Sequence, residues 1–382
     1  MKIAYINDQL FPNTETDCEQ IMQTVYTLGK NGAEITLILP EKFKGGHSSA
    51  NELSDFYQIE PSFSLEYKKS FFPSYRFIEK TAHAVISLFS KSVRKCDVIY
   101  TRNLPTVISV LAFTNKPVIY ETYRNWPDQL FFMGWLFRRF DRSQKFLGAV
   151  IHSEFAAESF IRAGVSKNKI LPKQNGYDPK RISPVLTKSE ARKKLGLPQN
   201  RRIVTYAGHV SPKKGIDIIL DLAQVEKKAY FVIAGSKERT AIEERAETME
   251  NVKIVPWLKF DKVVEYLYAS DILVIPPTLG PLHKVGNTVL PIKTFLYMAT
   301  KRVIFGPDSP DLASVLKNNV NAKLVEPDNF EKAHDGLSEL ISSEELCERL
   351  SSQAYNDVKD LTYLKRSSDI LGFIQKRLHE IK

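Results

Sequence analysis

The sequence predicts an α/β protein with two consecutive domains, each built on a parallel sheet. In the first 40 residues, apolar runs at 2–6 and 34–40 lie on either side of a segment, 21–28, whose apolar residues have helical spacing. This strand–helix–strand pattern implies parallel strands joined by a right-handed crossover. The pattern starts again at Arg202, after a polar, proline-containing stretch at 178–200 that we interpret as a linker.

The N-terminal domain is predicted to span residues 1–180. Further strands are expected at 97–100, 117–121 and 148–152, with helices at 106–113 and 154–163, and residues 169–172 precede a turn signal at Asn175 and Gly176. Ser153 can cap the last of these helices, because a serine hydroxyl there accepts a hydrogen bond from a helical amide. Gly164 ends the same helix.

The C-terminal domain is predicted to span residues 181–360. Its strands are expected at 202–207, 230–234, 252–255, 271–275 and 302–305, and its helices at 215–223, 239–248, 260–269 and 292–299. The tail is helical with breaks near Ser342 and Leu361, and residues 361–382 are expected to pack back on the first domain. Two such domains form a cleft, where ligands are expected at the carboxyl ends of the strands.

Composition narrows the class of protein. The chain has 54 Lys and Arg against 44 Asp and Glu, a formal charge of +10, and its 43% hydrophobic content is that of a globular protein. Three scattered cysteines favour a reducing compartment over a disulfide framework. No apolar run has the length of a signal peptide or a membrane span. The charge therefore indicates an anionic partner: nucleic acid, membrane lipid or a phosphorylated substrate.

The loop after the first strand, residues 7–17, contains no glycine. This excludes a G-x-G-x-x-G dinucleotide cradle and a P-loop at that position. A helix begins directly after the loop, so the position still suits ligand contacts. An ordinary connecting loop is the alternative.

The stretch from Gly208 to Asp217 is the better candidate for phosphate binding. A strand ends in Gly208 and a helix begins near Gly215, with Lys214 just before it. A lysine at that point can neutralise phosphate oxygens while the helix amides donate hydrogen bonds. The alternative is that Lys214 is simply solvated.

Lys293 supports the same hypothesis. Pro291 begins a helix well, which puts Lys293 in its first turn. The polarity of a helix disfavours a cation there. A bound anion near Lys293 would account for that placement.

Several of these segments resemble glycosyltransferase family 4, the retaining group 1 glycosyltransferases, over nearly the whole chain. The similar segments are 151–178, Tyr206–His209 with Lys214 and Gly215, 269–276, 291–299, and Tyr363 to Arg366, where the family often has Trp-x-x-Arg. The resemblance implies the GT-B fold, in which two Rossmann-like domains face an interdomain cleft. It also implies sugar transfer from a nucleoside-diphosphate sugar to a cell-envelope or polysaccharide acceptor.

The resemblance also implies roles for individual residues. The C-terminal domain would bind the donor through Gly208, His209, Lys214, Trp257, Leu258, Pro291 and Lys293. The N-terminal domain would bind a carbohydrate or lipid-linked acceptor through Asn13, Thr14 and Arg124, and His283 of the C-terminal domain would be a further acceptor-binding residue. Lys214, Glu121 and Tyr123 would be catalytic. A hexosyltransferase of this type needs no metal and no cofactor.

The sequence departs from the family at three positions. Thr288 and Leu296 stand where the family usually has two glutamates, and Tyr123 stands nearest to a usual histidine. A leucine cannot accept the hydrogen bonds of a ribose hydroxyl. An alternative function is therefore open, a catalytically altered GT-B protein acting as a sugar-nucleotide-binding or scaffold subunit.

Two basic stretches of the N-terminal domain are rich in aromatic residues. One runs from Lys68 to Lys95 with Glu79 as its only acidic residue, and the other is 130–140, followed by Arg142 and Lys145. Such mixtures are typical of helices that lie on anionic membranes. We therefore expect a cytoplasmic protein that is peripheral on the inner face of the membrane. A buried helix with a solvated face is the alternative, and no nucleic-acid motif accompanies the charge.

Overall fold

The computed structural model describes residues 1–41, 47–71, 76–280 and 290–381. The chain divides into two compact units. The N-terminal unit contains Met1–Asn175 with Tyr363–Lys382, and the C-terminal unit contains Gly176–Thr362. Each unit has one parallel sheet with helices packed against it, so the predicted α/β class is confirmed.

The N-terminal unit has a seven-stranded sheet in the order β3-β2-β1-β4-β5-β6-β7, with parallel pairing throughout. Its strands are β1 (Lys2–Ile6), β2 (Glu34–Pro40), β3 (Ser64–Lys68), β4 (Val98–Thr101), β5 (Val118–Thr122), β6 (Phe146–Ile151) and β7 (Ile170–Pro172). The strand order reverses direction between β1 and β4, and ligands bind at such a point in open α/β sheets.

Helices connect the strands of this unit, and those at Thr16–Lys30, Leu104–Phe113 and Glu154–Arg162 were expected from the sequence. The helices are α1 (Thr16–Lys30), α2 (Ala50–Tyr57), α3 (Arg76–Ser87), α4 (Lys91–Lys95), α5 (Leu104–Phe113), α6 (Trp126–Gln129), α7 (Met133–Asp141) and α8 (Glu154–Arg162). The predicted cap of α8 is present, because the Ser153 side chain accepts a hydrogen bond from the Ala156 amide at 3.1 Å.

The C-terminal unit has a six-stranded sheet in the order β10-β9-β8-β11-β12-β13, also parallel. Its strands are β8 (Arg202–Ala207), β9 (Ala229–Ser236), β10 (Val252–Pro256), β11 (Ile272–Val274), β12 (Val303–Pro307) and β13 (Lys323–Val325). Its helices are α9 (Lys188–Leu195), α10 (Ile216–Val225), α11 (Ala241–Glu247), α12 (Phe260–Ala269), α13 (Lys293–Ala299), α14 (Phe330–Ser342) and α15 (Glu344–Val358).

The final helix, α16 (Tyr363–Glu380), belongs to the N-terminal unit and packs on α1. Its apolar side chains Ile370 and Ile374 are buried in the same core as those of α1 and β1. The hydroxyls of Thr27 and Ser367 lie 2.5 Å apart, and the Asn31 side chain donates to the Leu364 carbonyl at 2.8 Å. These contacts anchor the beginning of the last helix to the first helix of the chain.

The predicted linker at 178–200 is folded into the C-terminal unit. It contains a short 3₁₀ turn at Pro179–Ile182 and helix α9. Arg192 of α9 is buried and donates to the Asp271 carboxylate and to the Ala269 carbonyl. The stretch is therefore an ordered part of the C-terminal unit, held to it by Arg192, and most of its other polar side chains are exposed on the surface.

The edge strands β3, β7 and β13 were not predicted. Strand β3 is only half-buried, and its Glu66 and Lys68 form an ion pair at 2.7 Å. Strand β13 has only three residues. Polar side chains on an edge strand weaken the apolar pattern from which strands are recognised.

Among the helices within the described ranges, none combines the length and the apolar character needed to cross a membrane.

Candidate functional site

The connection from β8 to α10 forms an open helix N-terminus. After Ala207 the chain passes through a 3₁₀ turn at Pro212–Lys214, and Gly215, with φ +70°, precedes α10. A Cβ on Gly215 would lie 2.3 Å from the Thr278 side chain, so no other residue fits. Gly215 offers no side-chain cap, and the first amides of α10 can therefore donate to an anion.

Lys293 lies against the end of the neighbouring strand. It is the first residue of α13, and its Nζ is 3.9 Å from the centre of the Tyr206 ring. A Cβ on Gly208 would lie 2.7 Å from this Nζ, so the absence of a side chain at Gly208 makes room for the ammonium group. The Tyr206 hydroxyl donates to the His209 carbonyl at 3.0 Å, which fixes the ring beneath Lys293.

Lys293 has an unusual charge environment. Burial, together with the positive charge of Lys214, lowers the pKa of Lys293 to about 7. Within the described ranges no carboxylate forms an ion pair with either lysine. Two neighbouring cations without a counter-ion, beside open helix amides, make a site that suits a phosphate group.

The structure therefore brings together four of the predicted donor-site residues. Gly208 and Lys293 are in close contact, Lys214 interacts electrostatically with Lys293, and His209 is exposed on the same connection. Tyr206, which was not predicted as a site residue, is the platform under Lys293.

The other predicted donor-site residues lie on neighbouring elements of the same unit. Trp257 follows β10 at the carboxyl edge of the sheet; its side chain is 43% exposed and its amide donates to the Ser236 carbonyl at 2.6 Å. Leu258 is partly buried against the core, and the Pro291 carbonyl accepts from the Thr294 amide. Leu296 is partly buried in that core too.

His283 and Thr288 lie outside the described residues, and their predicted roles stay predictions. In the parts of the chain that are described, no three His, Cys, Asp or Glu side chains are grouped so that they could hold a metal ion.

A second polar cluster is buried in the N-terminal unit around Glu121, which is 1% exposed at the end of β5. Its carboxylate accepts hydrogen bonds from three donors at 2.7 Å: Tyr100, His152 and Arg366. Arg366 of α16 also donates to the Gln174 carbonyl at 3.1 Å. Glu121 therefore holds the C-terminal helix to the centre of the sheet.

The ionisation states in this cluster follow from their partners. Burial alone would raise the pKa of Glu121, but the charge of Arg366 and the hydrogen bond from His152 hold it well below its usual value. Burial lowers the pKa of His152 to about 4, despite the opposing effect of Glu121. His152 is thus neutral at physiological pH, and its Nε2 carries the proton donated to the Glu121 carboxylate.

The predicted acceptor-site residues occupy two places in this unit. Asn13 lies in the loop before α1, where its amide donates to the Tyr57 hydroxyl at 3.1 Å, and the neighbouring Thr14 is exposed. Tyr123 and Arg124 follow β5 and are half-buried. The Arg124 guanidinium lies 5.7 Å from the Tyr123 ring.

Comparison with known proteins defines the class. Residues 187–357 match the family model described as glycosyl transferases group 1. This part of the chain is therefore similar to group 1 glycosyl transferases, and the resemblance to that group is confirmed over these residues, whereas the assignment to family 4 stays a prediction. No curated protein sequence matches the chain.

Three solved structures share the fold across the whole chain. The glycosyltransferase from Rickettsia africae ESF-5 is 14% identical, with 99% of this chain and 98% of that one covered and a TM-score of 0.71. Sucrose-phosphate synthase from Thermosynechococcus elongatus is 15% identical, with both chains covered completely and a TM-score of 0.73. HepE from Anabaena in complex with UDP is 16% identical, with 98% and 100% covered and a TM-score of 0.70. The likeness confirms the GT-B fold.

Neutralising Glu121 tests the buried cluster. We expect Glu121→Gln and Arg366→Met each to lower the free energy of unfolding by about 3–5 kcal/mol, because each leaves a buried group without its partner. The double variant should lose less than the sum of the two, since the residues interact directly. Urea unfolding of the full chain measures all three values.

The matched control is Arg162→Gln, which removes the exposed ion pair between Arg162 and Asp128. It should change the free energy of unfolding by less than about 1 kcal/mol. Full stability with lost turnover in Glu121→Gln would contradict the structural role and would make Glu121 a catalytic residue, as the sequence predicted.

Proposed function

We propose that the chain is a retaining, metal-independent glycosyltransferase that transfers a sugar from a nucleoside-diphosphate sugar to a cell-envelope or polysaccharide acceptor. The C-terminal unit binds the donor and the N-terminal unit binds the acceptor. The observation that carries the proposal is the pair Lys214 and Lys293, without a carboxylate partner among the described residues, beside the open N-terminus of α10.

The chemistry of the leaving group fits this pair. When the bond between the sugar and the diphosphate breaks, negative charge develops on the phosphate oxygen that departs. Cations and helix amides that are already in place stabilise this charge in the transition state, and they need no reorganisation. Lys293 is well suited to this role, since an enclosed ammonium group interacts more strongly with a phosphate than a fully hydrated one.

The nucleotide part of the donor is assigned by analogy. HepE was solved with UDP and with UDP-glucose. Trp257, exposed at the carboxyl edge of the same sheet, offers an apolar surface for a base, and Leu258 lies next to it. His209, Gly208 and Pro291 complete the proposed donor site.

Roles in the N-terminal unit follow from burial. Glu121 is enclosed and already accepts three hydrogen bonds, so we assign it a positioning role. Tyr123 and Arg124 are half-buried beside it and remain candidates for contact with the acceptor, together with Asn13 and Thr14.

The second candidate function is a GT-B protein that binds sugar nucleotides without transferring the sugar. The observation that favours it is Leu296, which contributes to the core and has no group that could accept a hydrogen bond from a ribose. Turnover distinguishes the two functions, because a binding subunit would take up a sugar nucleotide without releasing the nucleoside diphosphate.

We further propose that the N-terminal unit associates with an anionic membrane. Phe131, just before α7, is 96% exposed and Trp135 of α7 is 59% exposed, whereas Phe137 of the same helix is buried. Arg138 and Arg139 are exposed beside them. Lys145 is excluded from this surface, since its ammonium group donates to the Leu111 and Thr114 carbonyls.

The first basic stretch, from Lys68 to Lys95, also has exposed apolar side chains. Phe71, Phe77 and Phe89 are exposed, while Phe72 and Tyr75 lie outside the described residues. Lys68 and Lys80 form ion pairs with Glu66 and Asp8, respectively, so part of the basic charge is neutralised within the protein.

Lys214→Ala tests the donor site. We expect this variant to lose donor binding by at least about tenfold, or about 1.4 kcal/mol, and to lose turnover, because a phosphate contact is removed. Calorimetry and nucleoside-diphosphate release with a panel of sugar nucleotides provide the measurements. Lys213→Ala, an exposed lysine in the same turn, is the control and should bind the donor normally. Unchanged donor affinity in Lys214→Ala would refute the assignment.

Neutralising Arg138, Arg139 and Arg142 together tests membrane association. Each basic residue near an anionic surface contributes about 1 kcal/mol, so partitioning onto anionic liposomes should fall by about a hundredfold. Co-sedimentation measures the bound fraction. A variant of Lys213, Lys227 and Lys228 removes the same charge from the C-terminal unit and should partition like the unaltered protein. Equal partitioning of both variants would rule out this surface.

A further inference from the structure

Two arginines lie close to one tyrosine at the carboxyl edge of the N-terminal sheet. Arg102 follows β4 and Arg124 follows β5, and their guanidinium carbons lie 5.8 and 5.7 Å from the centre of the Tyr123 ring. The strand order of this sheet reverses between β1 and β4, next to Arg102. General rules for open α/β sheets place ligands at this edge.

Arg102 is held firmly in place. Its side chain is 8% exposed, it donates to the Gln20 side chain at 3.0 Å, and it lies 3.8 Å from the Asp17 carboxylate. Burial alone would lower the pKa of Arg102, but the charges of Glu121 and Asp17 raise it above its ordinary value. The guanidinium therefore stays charged and cannot rotate freely.

Arg124 has a different environment. Its guanidinium contacts the faces of Trp126, at 4.9 Å, and Tyr123. Over the ranges that the structure describes, no carboxylate pairs with it, although its backbone amide donates to the Thr122 hydroxyl at 3.0 Å. Aromatic faces hold a guanidinium in position and leave its N–H groups available to a ligand.

The charges of this cluster do not cancel. Arg366 is paired with Glu121, and Arg102 is paired at longer range with the partly exposed Asp17. His152 is neutral because burial lowers its pKa to about 4. Among the charges of this cluster, that of Arg124 is not balanced by a carboxylate in the described residues. Arg124 is half-buried at the edge of the sheet where a ligand is expected.

We propose that Arg124 and Arg102, which both lie next to Tyr123, bind a phosphate group of the acceptor. A guanidinium presents parallel N–H donors that match two phosphate oxygens, which makes arginine the preferred residue for this group. The proposal rests on the proposed function and deepens it, because it gives the acceptor a chemical class: a molecule whose phosphate is bound by the N-terminal unit.

The phosphate has two possible sources, a lipid headgroup and a soluble phosphorylated compound. The exposed apolar residues Phe131 and Trp135 follow Arg124 closely in the chain. This favours the lipid, since an apolar chain attached to the phosphate can bind to exposed apolar side chains of the same unit.

The test separates this site from the donor site. The full chain carrying Lys214→Ala and Lys293→Met provides the background, so that phosphate bound at α10 does not contribute. Calorimetry then measures the binding of two probes, inorganic phosphate and a monomeric short-chain phosphatidic acid. We expect saturable binding of at least one probe, and at least a tenfold loss when Arg124→Gln is added.

Further variants sharpen the result. Arg124→Lys, which keeps the charge but loses the planar pair of donors, should recover only part of the affinity. Arg162→Gln, an exposed arginine paired with Asp128, is the control and should have no effect. Stronger binding of phosphatidic acid supports a lipid acceptor, and equal binding of the two probes supports a soluble phosphorylated one.

The proposal is overturned if neither probe binds the background variant, or if Arg124→Gln binds both with unchanged affinity. Either result is independent of the donor site, because sugar-nucleotide binding is measured separately in the unaltered protein and in Lys214→Ala. If Lys214 proves not to bind the donor, the phosphate-binding result can still be interpreted.

Discussion

The contact between Lys293 and the ring of Tyr206 is the interaction on which the donor site depends. It holds an ammonium group in a partly enclosed position at 3.9 Å from the ring, next to Lys214. The absence of a side chain at Gly208 leaves room for this ammonium group, and the absence of one at Gly215 lets α10 begin close to Thr278. The backbone of this region therefore accommodates the positive charge of Lys293. Among the described residues this charge has no carboxylate counter-ion.

In the N-terminal unit, by contrast, the buried charge of Glu121 has a partner of opposite sign. Glu121 and Arg366 neutralise each other, and neutral His152 and Tyr100 supply the remaining hydrogen bonds. A satisfied cluster of this kind fixes one arrangement of strands and of α16, whereas an unsatisfied cation attracts a ligand. This contrast is the reason for assigning binding to Lys293 and Arg124 and a positioning role to Glu121.

Sequence reasoning predicted most of the fold, because buried parallel strands such as β1 and β8 are short apolar runs between amphipathic helices. It missed β3, whose charged side chains hide the pattern. Lys214 and Lys293 were found through their positions at helix starts. Tyr206 and Arg102 were missed because their roles depend on contacts across strands, for which no local pattern exists. Glu121 was recognised as important, but only the structure reveals that its oxygens are occupied.

The most direct test of the donor site is the pH dependence of sugar-nucleotide affinity, with the tightest donor from a panel. Burial and Lys214 lower the pKa of Lys293 to about 7, and a bound diphosphate would raise it again. Affinity should therefore fall as pH rises above about 7, by up to tenfold per unit, because the free protein loses the charge that the anion needs. Lys293→Met should bind more weakly and without this dependence, while His209→Gln should keep it. Equal affinity of the unaltered protein at pH 6 and pH 9, or an unchanged pH profile in Lys293→Met, would contradict the account.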